Sequence, residues 1–193
     1  MKKLLFIFTL SLLAVYCKKE DQISYPEFIL AGVTTGTHVQ YTDLIPDDTV
    51  PVAYSTTEYL YLDINHDKTD DFRLQYFSFH SPSMGNTHLS LEPLNNNEFA
   101  FAGTDSIMVD TIPVNFTIDK NLKWSGRKGT LYSSIWGSIP PGSYSQGLWM
   151  GVNDKVAGVR VFVGNDIVYG WIRPRISSGV FYVVYDYACT TRL

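Results

Sequence analysis

The sequence has little charge, few cysteines and no helical pattern. Only 18% of its 193 residues are charged, and the formal net charge is −4. A chain with this balance presents no basic field to a polyanion, so nucleic acid is not an expected partner. No segment sustains a helical period of apolar residues, which excludes helical bundles and coiled coils.

Long hydrophobic runs are also missing. The apolar run at residues 4–16 has 13 residues, whereas a helix that spans a bilayer needs about 20. Lys2 and Lys3 precede this run, and Cys17 and charged residues follow it, which predicts an export signal over 1–16 rather than a membrane anchor helix. Cys17 resembles the lipidated first residue of a mature bacterial lipoprotein, and 17–23 then form a tether. Plain secretion with cleavage nearby is the alternative.

Only two cysteines are present, Cys17 and Cys189. If Cys17 carries a lipid, no disulfide can form within the domain, and its stability must come from packing. We interpret Cys189 as a small buried hydrophobe of the last strand, because no histidine or other base lies near it in sequence to make it a reactive thiol. Removal of 1–16 leaves 13 basic and 19 acidic residues, a mature charge of −6.

Aromatic and apolar residues are abundant. The chain has 13 Tyr, 11 Phe and 4 Trp, and 45% of its residues are hydrophobic. This composition can bury a sizeable core, and aromatic residues with frequent Thr and Ser favour strands. From residue 24 onward, short apolar runs alternate with clusters of Gly, Pro, Asn and Asp. We therefore predict one all-β domain at 24–193, an antiparallel β-sandwich.

Several strands can be placed from their alternation. Residues 59–64 and 72–79 each put apolar side chains on one face, and together they predict a hairpin around an acidic loop. Residues 107–118 alternate as one further strand, in which Pro113 favours an edge or a bulge. Residues 159–163, 167–173 and 180–187 predict a three-stranded meander. Its last strand is apolar on both faces, which places it in the middle of a sandwich or against a partner.

The acidic loop at residues 63–71 (DINHDKTDD) is the one motif with clear chemistry. Calcium takes 6–8 oxygen ligands at about 2.3–2.6 Å, and a loop with an oxygen donor at every second residue can wrap one ion. The predicted ligands of a structural Ca²⁺ are the side chains of Asp63, Asn65, Asp67 and Asp71 with the Thr69 carbonyl. The alternative is a solvated acidic turn. Lys68 stands where such loops usually carry glycine, and no glutamate occupies the twelfth position.

No set of residues predicts catalysis. The four histidines form no HExxH or His-x-His pattern. Ser143 and Ser145 lack the glycine that a nucleophile elbow needs two residues before its serine. Glu58, Glu92 and Glu98 are scattered and have no spacing typical of a glycosidase pair. We therefore assign no catalytic residue.

The segment 133–151 places aromatic residues among Gly, Pro and Ser. Flat rings on such a loop could stack on sugar rings, and Trp136, Tyr144 and Trp149 are the predicted ligand-binding residues. The alternative is that these rings close one end of the sandwich, since tryptophan is usually largely buried.

Three short motifs occur in order along the mature chain: VQYTDLIPD at 39–47, YLDINHDKTDDF at 61–72, and YGWIR at 169–173 leading to YDYA at 185–188. Together they resemble a family of secreted bacterial β proteins, often lipoproteins of Bacteroidetes. The family carries no activity that could be transferred. The resemblance implies a jelly-roll-like sandwich with a calcium-type loop at Asp63, Asn65, Asp67 and Asp71.

These observations favour a non-enzymatic envelope lipoprotein. We expect an exported protein, anchored to the bacterial outer membrane by the lipid on Cys17, that binds a glycan or a surface protein. A secreted carbohydrate-active enzyme of sandwich fold and a purely structural envelope protein are the alternatives. In the last case the apolar final strand would mark an assembly face.

Overall fold

The structure is a computed structural model that describes residues 24–50, 55–104, 108–138, 141–176 and 182–193, and it contains strands but no helix over these ranges. The predicted export signal, Cys17 and the tether lie outside them. The strands are β1 (Phe28–Leu30), β2 (Val39–Val50), β3 (Thr57–Leu62), β4 (Phe72–His80), β5 (Met84–Pro93), β6 (Glu98–Ala102), β7 (Met108–Val109), β8 (Ile112–Pro113), β9 (Thr117–Asp119), β10 (Trp124–Ser125), β11 (Gly129–Ser138), β12 (Pro141–Gln146), β13 (Lys155–Val163), β14 (Asp166–Ile176) and β15 (Tyr182–Thr190).

The strands form a curled sheet that folds over itself. We call the run β2-β15-β14-β13-β6 the first sheet and the run β3-β4-β5-β11-β12 the second sheet. Strand β7 joins them, because it pairs antiparallel with β6 and parallel with β11. The remaining pairings within the two sheets are antiparallel. The predicted all-β, jelly-roll-like sandwich is confirmed.

The hairpin of β3 and β4 has the predicted facing. Leu62 and Phe72 pair at its closed end, and Leu62, Phe72, Leu74 and Tyr76 are buried. These side chains pack against the inner face of the first sheet in one hydrophobic cluster. Tyr59 and Tyr61, on the opposite face of β3, are exposed. The period-two pattern therefore sets which face of the hairpin meets the core.

The predicted C-terminal meander is confirmed for the described strands, since β14 pairs with both β13 and β15. Strand β15 lies between β14 and β2, and both of its faces are covered. Tyr187 and Cys189 belong to the core between the sheets, whereas Ala188 belongs to a second cluster outside the first sheet. Burial raises the pKa of the Cys189 thiol to about 12, as expected for a buried small side chain. The predicted turn at 177–179 lies outside the described residues.

The single strand predicted at 107–118 is wrong. Three short strands occupy this segment: β7 pairs with β6 and β11, β8 with β13, and β9 with β1. Pro113 has no backbone N–H for a continuous ladder, and Asn115 turns the chain with a φ of 68°. Ile112 and Ile118 are buried as expected, but Val114 and Phe116 between them are exposed.

A covering layer, formed by residues 28–33 and 112–124, packs on the outer face of the first sheet. It encloses the second hydrophobic cluster, whose buried members are Ile29, Ala31, Ala100, Ile112, Ile118, Val156, Tyr169, Trp171 and Ala188. Gly158 allows the close approach, because a β-carbon there would lie 2.7 Å from Cδ1 of Ile112. The outward side chains of the first sheet are thus part of a third layer of packing.

Candidate functional site

The outer face of the second sheet presents several exposed aromatic and apolar side chains. Strand pairing places Tyr61 beside Arg73, Arg73 beside Glu92, and Tyr59 beside Gln75. We call this surface the open face and define it by Tyr59, Tyr61, Arg73, Gln75, Phe77, Phe79, Asn86, His88, Glu92, Ile135 and Tyr144. All lie on one side because cross-strand partners share a face and residues two apart along a strand repeat it.

One part of the open face is built around Arg73. Its guanidinium carbon lies 4.8 Å from the ring centre of Tyr59 and 5.9 Å from that of Tyr61. The same group forms a 2.7 Å ion pair with Glu92. Tyr59 and Tyr61 are 46% and 48% exposed. The Arg73 guanidinium thus contacts both rings while Glu92 neutralises its charge, and both rings still have surface that a ligand could contact.

A second part crosses four strands. Phe79 pairs with Asn86, Asn86 with Ile135, and Ile135 with Tyr144. We call these four residues the crossing row. Phe79, Ile135 and Tyr144 are exposed, Tyr144 at 62%. The row therefore combines an amide with apolar and aromatic side chains on one surface.

The three aromatic residues singled out in 133–151 are not brought together. Tyr144 belongs to the crossing row. Trp136 lies four residues after the core-facing Tyr132 in β11 and therefore on the same, inner side of that strand. Trp136 is 38% exposed, and its ring centre lies 6.3 Å from that of His80. Trp149 is fully buried and donates its indole N–H to the Val109 carbonyl at 3.0 Å. Only Tyr144 and Trp136 thus have surface for a ligand.

The acidic loop is folded around its own oxygens. The Asp67 backbone N–H is shared between Asp63 Oδ1 at 3.2 Å and Asn65 Oδ1 at 3.0 Å. The N–H of Lys68 donates to Asp63 Oδ2, and that of Thr69 to Asp67 Oδ1, each at 2.8 Å. Oxygens of Asp63 and Asn65 therefore lie close together, as an oxygen-ligated cation would need.

Asp71 lies beneath the loop and is buried. Its Oδ2 accepts the backbone N–H of Ile64 at 2.9 Å and of Asn65 at 3.3 Å, and its Oδ1 accepts the Asn97 amide at 2.9 Å. Asn97 Oδ1 in turn accepts the backbone N–H of Phe162 on β13 at 3.0 Å. This polar bridge joins the acidic loop to the first sheet. Burial raises the pKa of Asp71 to about 6, although the hydrogen bonds from Ile64, Asn65 and Asn97 favour the carboxylate.

Lys68 has a left-handed backbone conformation, at the position where similar loops usually carry glycine. Its φ is 73°, and that of His66 is 58°. The bend therefore forms without glycine, at a cost in backbone strain. Among the described residues, no group of three or more His, Cys, Asp or Glu side chains is arranged to hold a metal ion. The oxygens of Asp63, Asn65 and Asp67 also accept hydrogen bonds within the loop, but these side chains are exposed or half-buried whereas Asp71 is buried, so they are the part of the loop that a cation can reach.

The scattered glutamates have separate partners. Glu92 pairs with Arg73, Glu98 with Arg160, and Glu58 accepts the Thr56 hydroxyl at 2.9 Å. Ser143 and Ser145 lie in β12, opposite Trp136 and Ser134. Neither set is gathered into a site by these contacts.

Sequence reasoning missed Asn97 and most of the open face. The pattern in β3 correctly put Tyr59 and Tyr61 away from the core, and an aromatic residue at each solvent-side position was the available signal. Asn97 gave no such signal, because it follows two other asparagines in what reads as a turn.

Comparison with protein-family models, with curated proteins and with solved structures found no match to this chain. Within the described ranges, no helix has the length and apolar character needed to cross a bilayer.

Proposed function

We propose that the protein is a non-enzymatic envelope lipoprotein whose β-sandwich binds a surface ligand through the open face. The observation that carries this proposal is that other residues cover the outer face of the first sheet, whereas aromatic side chains on the outer face of the second sheet are exposed. The first sheet buries its outward Tyr169 and Trp171 beneath the covering layer, whereas the second sheet leaves Tyr59, Tyr61 and Tyr144 in solvent.

Exposed aromatic side chains gathered on one sheet are a recognised mark of a binding surface. Tyrosine supplies flat apolar area and a hydroxyl, at little cost in rotamer freedom. The second sheet positions these rings on paired strands rather than on a loop, so the surface is already formed before a ligand arrives.

The anchor is the second part of the proposal. Cys17 lies outside the described residues, and its lipidation is supported by the export-signal pattern of 1–16 and by the cysteine that follows it. The test is the mass of the N-terminal peptide from the mature protein, which should begin at Cys17 and carry acyl chains. Cys17→Ala should move the protein from the outer-membrane fraction to the soluble fraction.

We also propose that the acidic loop holds one structural Ca²⁺. The neighbouring oxygens of Asp63 and Asn65, which accept the same Asp67 N–H, and the acidic balance of the chain support it, with the Asp67 side chain and the Thr69 carbonyl as further ligands. Asp71 then positions the loop from below. Calcium should raise the melting temperature relative to EDTA, and Asp67→Ala should abolish the difference. Equal melting temperatures in the two buffers would overturn this part of the proposal.

The enzymatic alternative needs two facing carboxylates with water between or beside them. Glu92 and Glu98 are instead each paired with an arginine. The assembly alternative placed an assembly face on the apolar final strand, but β15 contributes Tyr187 and Cys189 to the core between the sheets and Ala188 to the cluster beneath the covering layer. Reducing-sugar release by the purified protein is the measurement that would favour the enzyme.

The binding role is tested on the full chain purified in detergent. It is screened against immobilised glycans and outer-membrane proteins, alongside the double variant Tyr59→Ala, Tyr61→Ala. Phe116→Ala is the matched control, because Phe116 is 51% exposed but lies in the covering layer. We expect the double variant to lose at least tenfold in affinity and the control to keep the native value. Equal binding by the two would contradict a role for Tyr59 and Tyr61 in binding.

A further inference from the structure

We propose that the ligand of the open face is a neutral polysaccharide that lies over the crossing row, with its hydroxyl groups on the Asn86 amide. This inference rests on the proposed binding role of the open face and deepens it by naming the class of ligand. It concerns Phe79, Asn86, Ile135 and Tyr144 together.

The dimensions of the row suit an extended polymer. Neighbouring strands are about 4.8 Å apart, so the row from β4 to β12 covers about 14 Å of the sheet. Phe79 and Tyr144 stand at its two ends, and both are exposed. A chain of sugar rings could therefore contact an aromatic side chain at each end and an amide between them.

The polar part of the row has unused hydrogen-bonding capacity. Asn86 Oδ1 is shielded from solvent and has no hydrogen-bond partner among the described residues. Its cross-strand neighbours Phe79 and Ile135 are exposed side chains rather than core residues, and such side chains change rotamer readily. Displacement of either neighbour by a ligand opens the amide, and a hydroxyl group can then satisfy it.

The outward side chains of β5 next to the row are also polar. His88 lies two residues beyond Asn86, and burial lowers the pKa of its imidazole, which favours the neutral ring. Ser90 follows after two more residues, and its Oγ has no hydrogen-bond partner in the described part of the chain. Next to the crossing row this strand therefore offers an amide and an imidazole, whereas the Ser90 hydroxyl is buried and the charge of Glu92 further along is paired with Arg73.

The charges of the open face argue against a polyanion. Arg73 is neutralised by Glu92, whereas the nearby Lys128 donates to the neutral Gln75 side chain and keeps its single positive charge. The net charge of the chain is negative, so an anionic polymer would be repelled at long range. A neutral glycan needs only stacking surfaces and hydrogen-bonding groups, which are what the crossing row supplies.

The test is affinity electrophoresis and calorimetry of the full chain in detergent, with a neutral β-glucan, a neutral mannan and the polyanion polygalacturonate. We expect binding to at least one neutral polymer and a loss of tenfold or more in Tyr144→Ala and in Asn86→Ala. Tyr144→Phe keeps the ring and should stay within threefold of the native affinity. Phe116→Ala should match the native protein. Because all these side chains lie at the surface or half-buried, unchanged melting temperatures serve as the folding control.

The remaining outcomes separate this inference from the proposed function. Binding to the polyanion alone, or to an outer-membrane protein through Tyr59 and Tyr61, would overturn the neutral-glycan inference and leave the binding role standing. Neutral-glycan binding that is insensitive to Tyr144→Ala and Asn86→Ala would overturn the placement on the crossing row. No binding to any neutral polymer would overturn the inference, and no binding in the wider screen would overturn the function as well.

Discussion

The outer faces of the two sheets carry similar side chains in opposite surroundings. On the first sheet the outward Tyr169 and Trp171 are buried beneath the covering layer. On the second sheet the outward Tyr59 and Tyr61 face solvent. An aromatic residue at an outward position is thus part of a buried cluster on one sheet and exposed to solvent on the other. The difference comes from the route of 28–33 and 112–124, not from the strands themselves.

The largest expected effect comes from Trp171→Ala. Trp171 is fully buried between the first sheet and the covering layer, and its ring centre lies 6.3 Å from that of Tyr41. Removal of such a side chain costs about 3–5 kcal/mol of unfolding free energy. Tyr144→Ala on the open face should change it by about 0.5 kcal/mol or less. Urea unfolding measures both, and equal losses would break the comparison between the faces.

The free energy of unfolding should depend on pH because of Asp71, which lies in the polar bridge between the acidic loop and the first sheet. Burial raises the pKa of Asp71 to about 6, so between about pH 4 and pH 6 the folded state keeps a proton that the unfolded state releases. The free energy of unfolding should therefore fall as pH rises through this window, by up to about 3 kcal/mol at about 1.4 kcal/mol for each pH unit. Urea unfolding in EDTA measures the slope.

Asp71→Asn is the variant that isolates this effect. It should reduce the slope between about pH 4 and pH 6, because this titrating group is gone, while Asp186, whose pKa burial also raises, still contributes. Asp70→Asn, at the exposed neighbour, is the matched control and should keep the slope. If the native protein instead gains stability as pH rises through this window, Asp71 is not the dominant titrating group there. The polar bridge through Asn97 would then need another account.

The covering layer should respond to a single added methyl group. In Gly158→Ala the new β-carbon would lie 2.7 Å from Ile112 Cδ1, so the layer has to shift, at a cost of about 1–3 kcal/mol. Gly142→Ala in the second sheet is the control, since nothing lies within 4 Å of its added carbon. Thermal unfolding of the two variants sharpens the comparison. A harmless Gly158→Ala would mean that the covering layer is loosely packed.

The sequence predicted those strands whose inward and outward faces are determined by the local alternation of apolar and polar residues. The hairpin of β3 and β4 followed because period two, a turn-rich loop and apolar inward positions all agree. The covering layer did not follow, because its pairings depend on breaks at Pro113 and Asn115 and on partners far away in sequence. Strand β1, for example, pairs with β9 through Ile29 and Ile118.

The candidate site was predictable to a similar degree. The oxygen spacing of 63–71 identified the acidic loop, but the burial of Asp71 depends on Asn97, 26 residues away. Trp136 and Trp149 have similar local sequences rich in Gly and Ser. What separates them is the carbonyl of Val109, which accepts the Trp149 indole N–H from a strand 40 residues earlier. Such long-range partners leave no mark in local composition.

The smallest expected effect lies in the acidic loop, which joins β3 and β4 at one edge of the second sheet. Lys68 has a φ of 73° and donates its backbone N–H to Asp63. Lys68→Gly keeps this donor and removes the β-carbon strain, so it should stabilise the protein by up to about 1 kcal/mol in EDTA. His66→Gly is the contrasting variant, because the His66 ring hydrogen-bonds Thr42 at 2.8 Å and packs on Tyr187. It should destabilise, although its φ of 58° is similar. If Lys68→Gly also destabilises, the loop owes its shape to contacts of the lysine side chain rather than to the hydrogen bonds around Asp63.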